Sequence, residues 1–462
     1  MFTRNDSSFL KFFVITIFLI SLGLGHKEYS SAQTESAVPS TYKMPIMKDP
    51  NLKVETVFNG LKFPSSMAFL GPGDILVLEK NDGTVRRILN GTMLPEPLLH
   101  VNVSTVSERG MLGIAVAKNV IRNIIYVFLY YTESSISGAD INEVKQPLGN
   151  RLYRYEFVDN KLINPKLLLD LPATPGPTHN GGKIVIGPDD NVYLVIGIVG
   201  PTASTKTLTQ NIRDGLPPDG RGGILRITQD GNVVPNGGIL GDTVPLSLYY
   251  AYGIRNSFGM DFDPITKILW DSENGPNYGD EINLVEQGFN SGWNKVQGIW
   301  KPDGGDAGNI TMHPDNLTDF GGKGKYSAPE FIWYNSTGPT SLRFFNSNNF
   351  GSEYKNHLFV GDFHNGNIYQ FQLDNQRKSL ALEGPLKDRI ADNNSELQGI
   401  ILGTGFGGIT DMVVGPDGFL YVLALAQFQG GTNCDIIFGN PNKPCVQYSS
   451  GEAGTIFRVV PR

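Results

Sequence analysis

Only six histidines occur in this 462-residue chain, and one of them stands in Thr178-His179-Asn180-Gly181-Gly182, directly ahead of two apolar runs. Imidazole is the side chain best matched to taking a proton from a hydroxyl near neutral pH. Residue type alone leaves His179 as either a general base or a polar turn residue. A second group lies in YAYGIRNSFGMDFDP (250–264), where Arg255 and Asn256 follow a Gly-Ile step. Arginine presents a planar fork that fits carboxylates, and asparagine donates and accepts beside it. The same arginine would equally tie down a turn by pairing with a neighbouring carboxylate. A third group is LWDSENGPNYGDEINLV (269–285), in which Asn274-Gly275-Pro276 forces a turn and Glu273, Asp280 and Glu281 add carboxylates. Backbone carbonyls and carboxylates are the hard oxygen ligands that Ca²⁺ prefers, although the spacing is not that of an EF-hand. Glu108 and Arg109 precede a strand-like run, and Trp333 sits in APEFIWYNSTGPTSL as either a core aromatic or a platform for a planar ligand.

These residues need a scaffold, and the sequence repeats one. MAFLGPGDILVLEKNDGTVRRIL, GIAVAKNVIRNIIYVFLYY, IVIGPDDNVYLVIG, GMDFDPITKILWDSE and MVVGPDGFLYVLALA each pair two apolar runs across a Pro, Asp, Gly or Asn turn. LRFFNSNNFGSEYKNHLFVGDF is a looser sixth copy. Period-two alternation marks these runs as strands rather than helices. Most copies are followed by a further segment, GTVRRI, NRLYRYEF, GGILRI, GNIYQF or GTIFRV, which reads as the outer strand of the unit. A two-sheet sandwich has no reason to repeat one unit six times, whereas radial repetition leaves only short protected edges. The expectation is an all-β, six-bladed β-propeller over residues 53–462, with GTIFRVV completing a blade begun by KVETVF and thereby joining the chain ends. Loops at one mouth of its channel would carry function.

Composition agrees with a turn-rich globular chain: 55 Gly, 29 Pro and 18% charged residues, with a net charge of −7. No basic run suggests a nucleic-acid surface. Residues 1–32 combine Arg4 and Lys11 with the apolar FFVITIFLISLGLG and the small residues Ser30-Ser31-Ala32. This reads as a secretory signal peptide, with an uncleaved membrane anchor as the alternative. Residues 33–52 read as a linker, and the body as an exported protein, secreted or held at the cell surface. Cys434 and Cys445, close together in an exported chain, favour one local disulfide.

Seven segments in order, ERGMLGIAV, HNGGKIVIGPDDNVYLVIG, GGILRI, YGIRNSFGMDFDP, ENGPNYGDEINLV, GFNSGWN and GPDGFLYVL, resemble the soluble quinoprotein glucose dehydrogenase and aldose sugar dehydrogenase family, the glucose/sorbosone dehydrogenase domain. The resemblance spans about residues 53 to 461. It implies a six-bladed propeller that oxidises an aldose with pyrroloquinoline quinone (PQQ) held by Ca²⁺, and that passes electrons to an external acceptor. It further implies that His179 is the base, that Arg255 and Asn256 contact the cofactor, and that the Gly275 and Pro276 carbonyls bind the metal. Trp333 would line the substrate mouth. Four positions depart from the family pattern. The aspartate expected beside the base is Ile198. The cofactor lysine is His364. The Arg-x-Arg-Asp segment is Gly408-Ile409-Thr410-Asp411, and a glutamine facing the site is Glu108. Charge-assisted hydrogen bonds contribute about 1.5–3 kcal/mol each, so fewer cations imply a weaker hold on the three carboxylates of PQQ. A propeller that binds a glycan or surface partner without turnover, and a Ca²⁺-dependent lactonase-type hydrolase, are the alternative readings.

Overall fold

The computed structural model describes residues 44–119, 123–136, 147–201, 204–299, 316–425, 427–429, 446–448 and 454–462. The signal segment and both cysteines lie outside the described residues.

The chain is an all-β propeller. Among the described residues, six sheets contain four or more strands, and a separate two-stranded ribbon pairs Gln427–Gln429 with Val446–Tyr448. The innermost strand of each sheet opens one of the six sequence units: Pro64–Gly71, Met111–Asn119, Ile184–Ile186, Ser257–Phe262, Pro339–Phe345 and Gly408–Val414. Each touches the next in that order, and the last touches the first. Six apolar clusters sit between successive sheets, such as Leu225 and Tyr252 against Phe128 and Leu152, or Phe457 and Ile409 against Phe345 and Phe359. Burial on both faces explains why the second strands, such as Val192–Ile196 and Leu420–Leu425, read as continuous apolar runs.

The hairpin turns explain the recurring Gly-Pro-Asp signal. In Gly187–Tyr193 the Asp189 carboxylate accepts from the Asn191 backbone N–H at 3.3 Å and from the Tyr193 hydroxyl at 3.0 Å. In Gly415–Tyr421 Asp417 does the same for Phe419 N–H at 3.2 Å and the Tyr421 hydroxyl at 2.7 Å. The aspartate thus fixes the turn and anchors the returning strand in one step.

Two sequence expectations change at the rim. The segments GTVRRI, NRLYRYEF, GGILRI, GNIYQF and GTIFRV are third strands, not outermost ones. A fourth lies outside each, for example Lys161–Leu171 beside Gly149–Val158. Lys161–Leu171 and Leu52–Leu61, two of these outer strands, mix exposed polar with buried apolar residues, so their alternation is blurred. The expected junction of the chain ends is present: Gly454–Pro461 pairs antiparallel with Leu52–Leu61. The linker read over 33–52 therefore overlaps structured chain, since Ile46–Met47 pairs with Ile401–Thr404.

Candidate active site

The segments leading into four neighbouring inner strands, ending at Gly110, Lys183, Asn256 and Gly338, meet around one end of the propeller. His179 lies in the second of them with φ +62°, a backbone conformation uncommon for residues other than glycine. It is held by a facing segment. The Val199 and Gly200 N–H groups donate to the carbonyls of His179 (3.1 Å) and Thr178 (2.7 Å). Val199 is itself at φ +52°, so two strained residues support each other across this contact. Gly197 makes the approach feasible, because a Cβ there would lie 2.5 Å from the Arg255 carbonyl oxygen and 2.6 Å from that of His179.

The His179 ring is oriented by a backbone group. Nδ1 stands 2.9 Å from the Gly200 carbonyl oxygen. A carbonyl only accepts, so Nδ1 carries the proton and Nε2 carries the lone pair in the neutral ring. The position that would have supplied a carboxylate, Ile198, is fully buried, and its N–H donates to the Arg255 carbonyl at 3.0 Å. Burial, reinforced by the Arg255 charge, lowers the His179 pKa to about 3, and the Gly200 contact opposes this only in part. The ring is neutral at physiological pH, with its basic nitrogen available.

Glu108 and Asn256 face this loop rather than standing apart from it. One Glu108 oxygen accepts from the backbone N–H of His179 (2.7 Å), from that of Asn180 (3.2 Å) and from Asn256 Nδ2 (3.1 Å). Asn256 Oδ1 in turn accepts from Gly181 N–H at 3.2 Å. Both side chains hold the protein's own backbone, a role the resemblance did not assign to them. The buried nest of donors attracted them inward, and only tertiary contact could reveal that.

Arg255 is placed by its neighbours on three sides. Its N–H donates to Glu273 Oε1 at 2.6 Å, its Nη1 donates to the Asn274 carbonyl at 2.8 Å, and its guanidinium lies 5.5 Å from the Trp293 ring centre. Arg255 Nε and Asn274 Oδ1 are buried and lack hydrogen-bond partners among the described residues. An orphaned buried guanidinium nitrogen is costly unless something accepts from it. This end of the site therefore fits an anionic ligand such as a carboxylate of PQQ.

Gly275 and Pro276 follow directly in the turn before Tyr278–Val285. Asp280 does not point to a metal role. Its Oδ1 accepts from Gly275 N–H at 2.8 Å, and its Oδ2 accepts from the N–H groups of Thr337 (2.7 Å) and Gly338 (2.8 Å). It clamps two loops together. His364 joins the second loop: its N–H donates to the Thr337 carbonyl at 3.1 Å, and a Cβ on Gly338 would lie 3.2 Å from its ring. Among the described residues no group of three or more His, Cys, Asp or Glu side chains is arranged to hold a metal ion; the Gly275-Pro276 assignment rests on carbonyls, not on such a cluster.

Trp333 is not at the mouth. It is 1% exposed and packs against Phe331 and Tyr369, with ring centres 5.0 and 5.3 Å away. Its place on strand Phe331–Asn335 turns the ring into the core between two sheets. The aromatic residue beside the site is Trp293, in the GFNSGWN segment, which residue type alone did not single out. At the Gly408–Asp411 segment Asp411 accepts from Lys183 Nζ at 2.5 Å and from Ser66 Oγ at 2.7 Å, all buried. Lys183, from the His179 loop itself, is a cation committed to that pair.

Comparison with known proteins places the chain in one family. The family profile described as Glucose / Sorbosone dehydrogenase matches residues 61–429. The chain is similar to the aldose sugar dehydrogenase YliI of Escherichia coli (strain K12), 24% identical over 378 residues, 80% of this chain and 90% of that protein. It is also similar to quinoprotein glucose dehydrogenase B of Acinetobacter calcoaceticus, 29% identical over 272 residues, 56% of this chain and 55% of that protein. The PQQ-bound form of aldose sugar dehydrogenase from Streptomyces coelicolor shares the fold, with a TM-score of 0.58 at 24% identity, covering 90% of this chain and 99% of that one.

Proposed function

The chain belongs to the glucose/sorbosone dehydrogenase family, and from that premise we propose that it is an exported PQQ-dependent sugar dehydrogenase that oxidises an aldose at C1. Each of the six sheets is taken as one blade of the propeller. The observation that carries the activity is the His179 ring, whose Nδ1 faces the Gly200 carbonyl and whose Nε2 is left as the proton acceptor. Its role is to take the proton of the C1 hydroxyl as the C–H bond breaks and the C=O bond forms. PQQ, when bound, supplies the acceptor for the hydride that leaves C1. Arg255 offers its unpartnered Nε to a cofactor carboxylate, with Trp293 stacked beneath the guanidinium. The carbonyls of Gly275 and Pro276 would hold Ca²⁺, a hard ion suited to oxygen ligands, and His364, at the position of the family's cofactor lysine, would contact the cofactor. A base of low pKa is a weak one, so the hydroxyl must already be polarised when its proton is taken.

Titration of the purified protein with PQQ, with and without Ca²⁺, tests the cofactor by calorimetry. Dye reduction over a panel of aldoses tests the reaction. Binding with turnover that disappears in His179→Ala supports the proposal; neither binding nor turnover in the presence of both additives ends it. Export is checked separately, by the mature N-terminus of protein recovered from outside the cytoplasm, which should begin near residue 33.

A further inference from the structure

We propose that Glu108 is the positioning residue of the base, an internal hydrogen-bond acceptor around which the His179 loop is moulded. This deepens the functional reading above and rests on it. The His179 and Asn180 N–H groups converge on one Glu108 oxygen at 2.7 and 3.2 Å. Successive N–H groups that converge in this way form an anion-binding concavity, and the left-handed φ of +62° at His179 is the conformation that builds one. Here the acceptor is a side chain from the preceding sheet rather than a ligand. The third donor to the same oxygen, Asn256 Nδ2 at 3.1 Å, comes from the following sheet. One carboxylate therefore ties together the segments leading into three consecutive inner strands, and the base lies on the middle one.

The neighbouring backbone strengthens the grip. Glu108 N–H donates to the Pro177 carbonyl at 3.3 Å, and Arg109 Nη2 donates to the carbonyl of Ala173 at 2.7 Å. Residues 108 and 109 thus hold the base loop along most of its length. The ring follows the backbone: only with His179 in this conformation does Nδ1 meet the Gly200 carbonyl at 2.9 Å. Without the Glu108 side chain, two buried N–H groups lose their acceptor and the strained backbone loses its reason to persist. The ring would then be free to take the other tautomer, which places a proton on the nitrogen that has to accept one. Among the described residues no side-chain carboxylate touches the ring, so its orientation depends on this indirect hold.

The test reads the ring itself as well as turnover. Full-length protein labelled with ¹⁵N-histidine, without cofactor, is measured by long-range ¹H–¹⁵N correlation at pH 7, and His179 is assigned by its loss in His179→Gln. The expected wild-type signature is a protonated Nδ1 and an unprotonated Nε2. Glu108→Ala should lose that signature and lower kcat by at least about a hundredfold, with KM changed by less than about threefold. Glu108→Gln keeps an oxygen for the backbone donors and should restore the signature and most of kcat. If Glu108→Ala does not fold, Glu108→Asp, which withdraws the carboxylate by one methylene, should lose the signature with the charge unchanged. A wild-type signature in Glu108→Ala or Glu108→Asp overturns the proposal, as does a Glu108→Gln variant that loses the signature. Absence of turnover in the wild type would fail the dehydrogenase reading alone, since the tautomer is read without cofactor.

Discussion

Two sets of buried carboxylates border Arg255, and they are organised in opposite ways. On the base side Glu108 stands alone, with three N–H donors on one oxygen and Arg255 nearby. Burial raises its pKa, while the hydrogen bonds and the arginine oppose the rise. On the other side, Asp271, Glu273 and Glu281 share one face of adjacent strands. Glu273 lies opposite Glu281, and Asp271 lies opposite Asn283. Like charges directly opposed across strands are destabilising. Hydrogen bonding from Asn283 and Ser257 offsets the burial of Asp271 only in part. Burial pushes the Asp271 pKa up to about 7 and that of Glu273 up to about 8, and in each case a neighbouring carboxylate adds to the rise. Equal burial thus gives different chemistry. Glu273 and Glu281 also accept from donors, among them Ser291 Oγ at 2.6 Å and Gly298 N–H at 2.7 Å, so the opposed carboxylates are what separate the two sets: Glu108 has none and shapes backbone, whereas Glu273 and Glu281 face each other and hold protons.

The largest effect that would sharpen this contrast is on the base. His179→Ala should lower kcat by about 10²- to 10⁴-fold, measured by steady-state dye reduction, with the fold retained by circular dichroism. Next comes Arg255, the cation both sets share. Arg255→Met removes one charge-assisted contact of about 1.5–3 kcal/mol, so PQQ affinity by calorimetry should fall roughly 10- to 150-fold. An unchanged affinity would mean that Arg255 serves only its own carboxylate neighbours.

The third test addresses the acidic face. Folded Asp271 and Glu273 keep their protons up to about pH 7 and 8, whereas unfolded carboxylates release theirs near pH 4. The folded chain holds more protons across that window, so this region's contribution to stability falls as pH rises from about 4 to 8. Melting temperature should therefore decline over this range. Asp271→Asn should flatten the decline and raise the value at pH 8 by about 1–2 °C, corresponding to about 1–2 kcal/mol. A steeper decline in the variant would break the contrast. The smallest effect is in the pH profile of turnover. With a His179 pKa lowered to about 3, kcat/KM should show no acid limb near 6.5 from the base. A limb at that value which vanishes in His179→Gln would mean that the ring is more hydrated than its burial implies.

Much of the scaffold could be read from residue order. Gly-Pro-Asp turns between apolar runs marked the hairpins, because Asp189 and Asp417 act through residues two and four positions away in the chain. His179 and Arg255 could be singled out for the same local reason, each standing in a short glycine-bearing segment at the start of an inner strand. Trp333 and Trp293 could not be told apart. Both are buried, and only tertiary packing sets Trp333, on strand Phe331–Asn335, among the core aromatics and Trp293, in the turn after Phe289–Asn290, under the Arg255 guanidinium.

The sequence by itself determined the repeating strand–turn–strand unit and the joining of the chain ends, since both follow from the strand pattern, and it singled out His179 as a candidate whose role residue chemistry left open. The tertiary structure alone decided what surrounds that base. Gly200 reaches the ring from 21 residues away, and Glu108 reaches its backbone from 71. Contacts over such separations follow from how three sheets pack around a common axis, and no local pattern encodes them. The carboxylate absent at Ile198 is thus answered in space, by a carbonyl on the ring and an acceptor beneath the backbone.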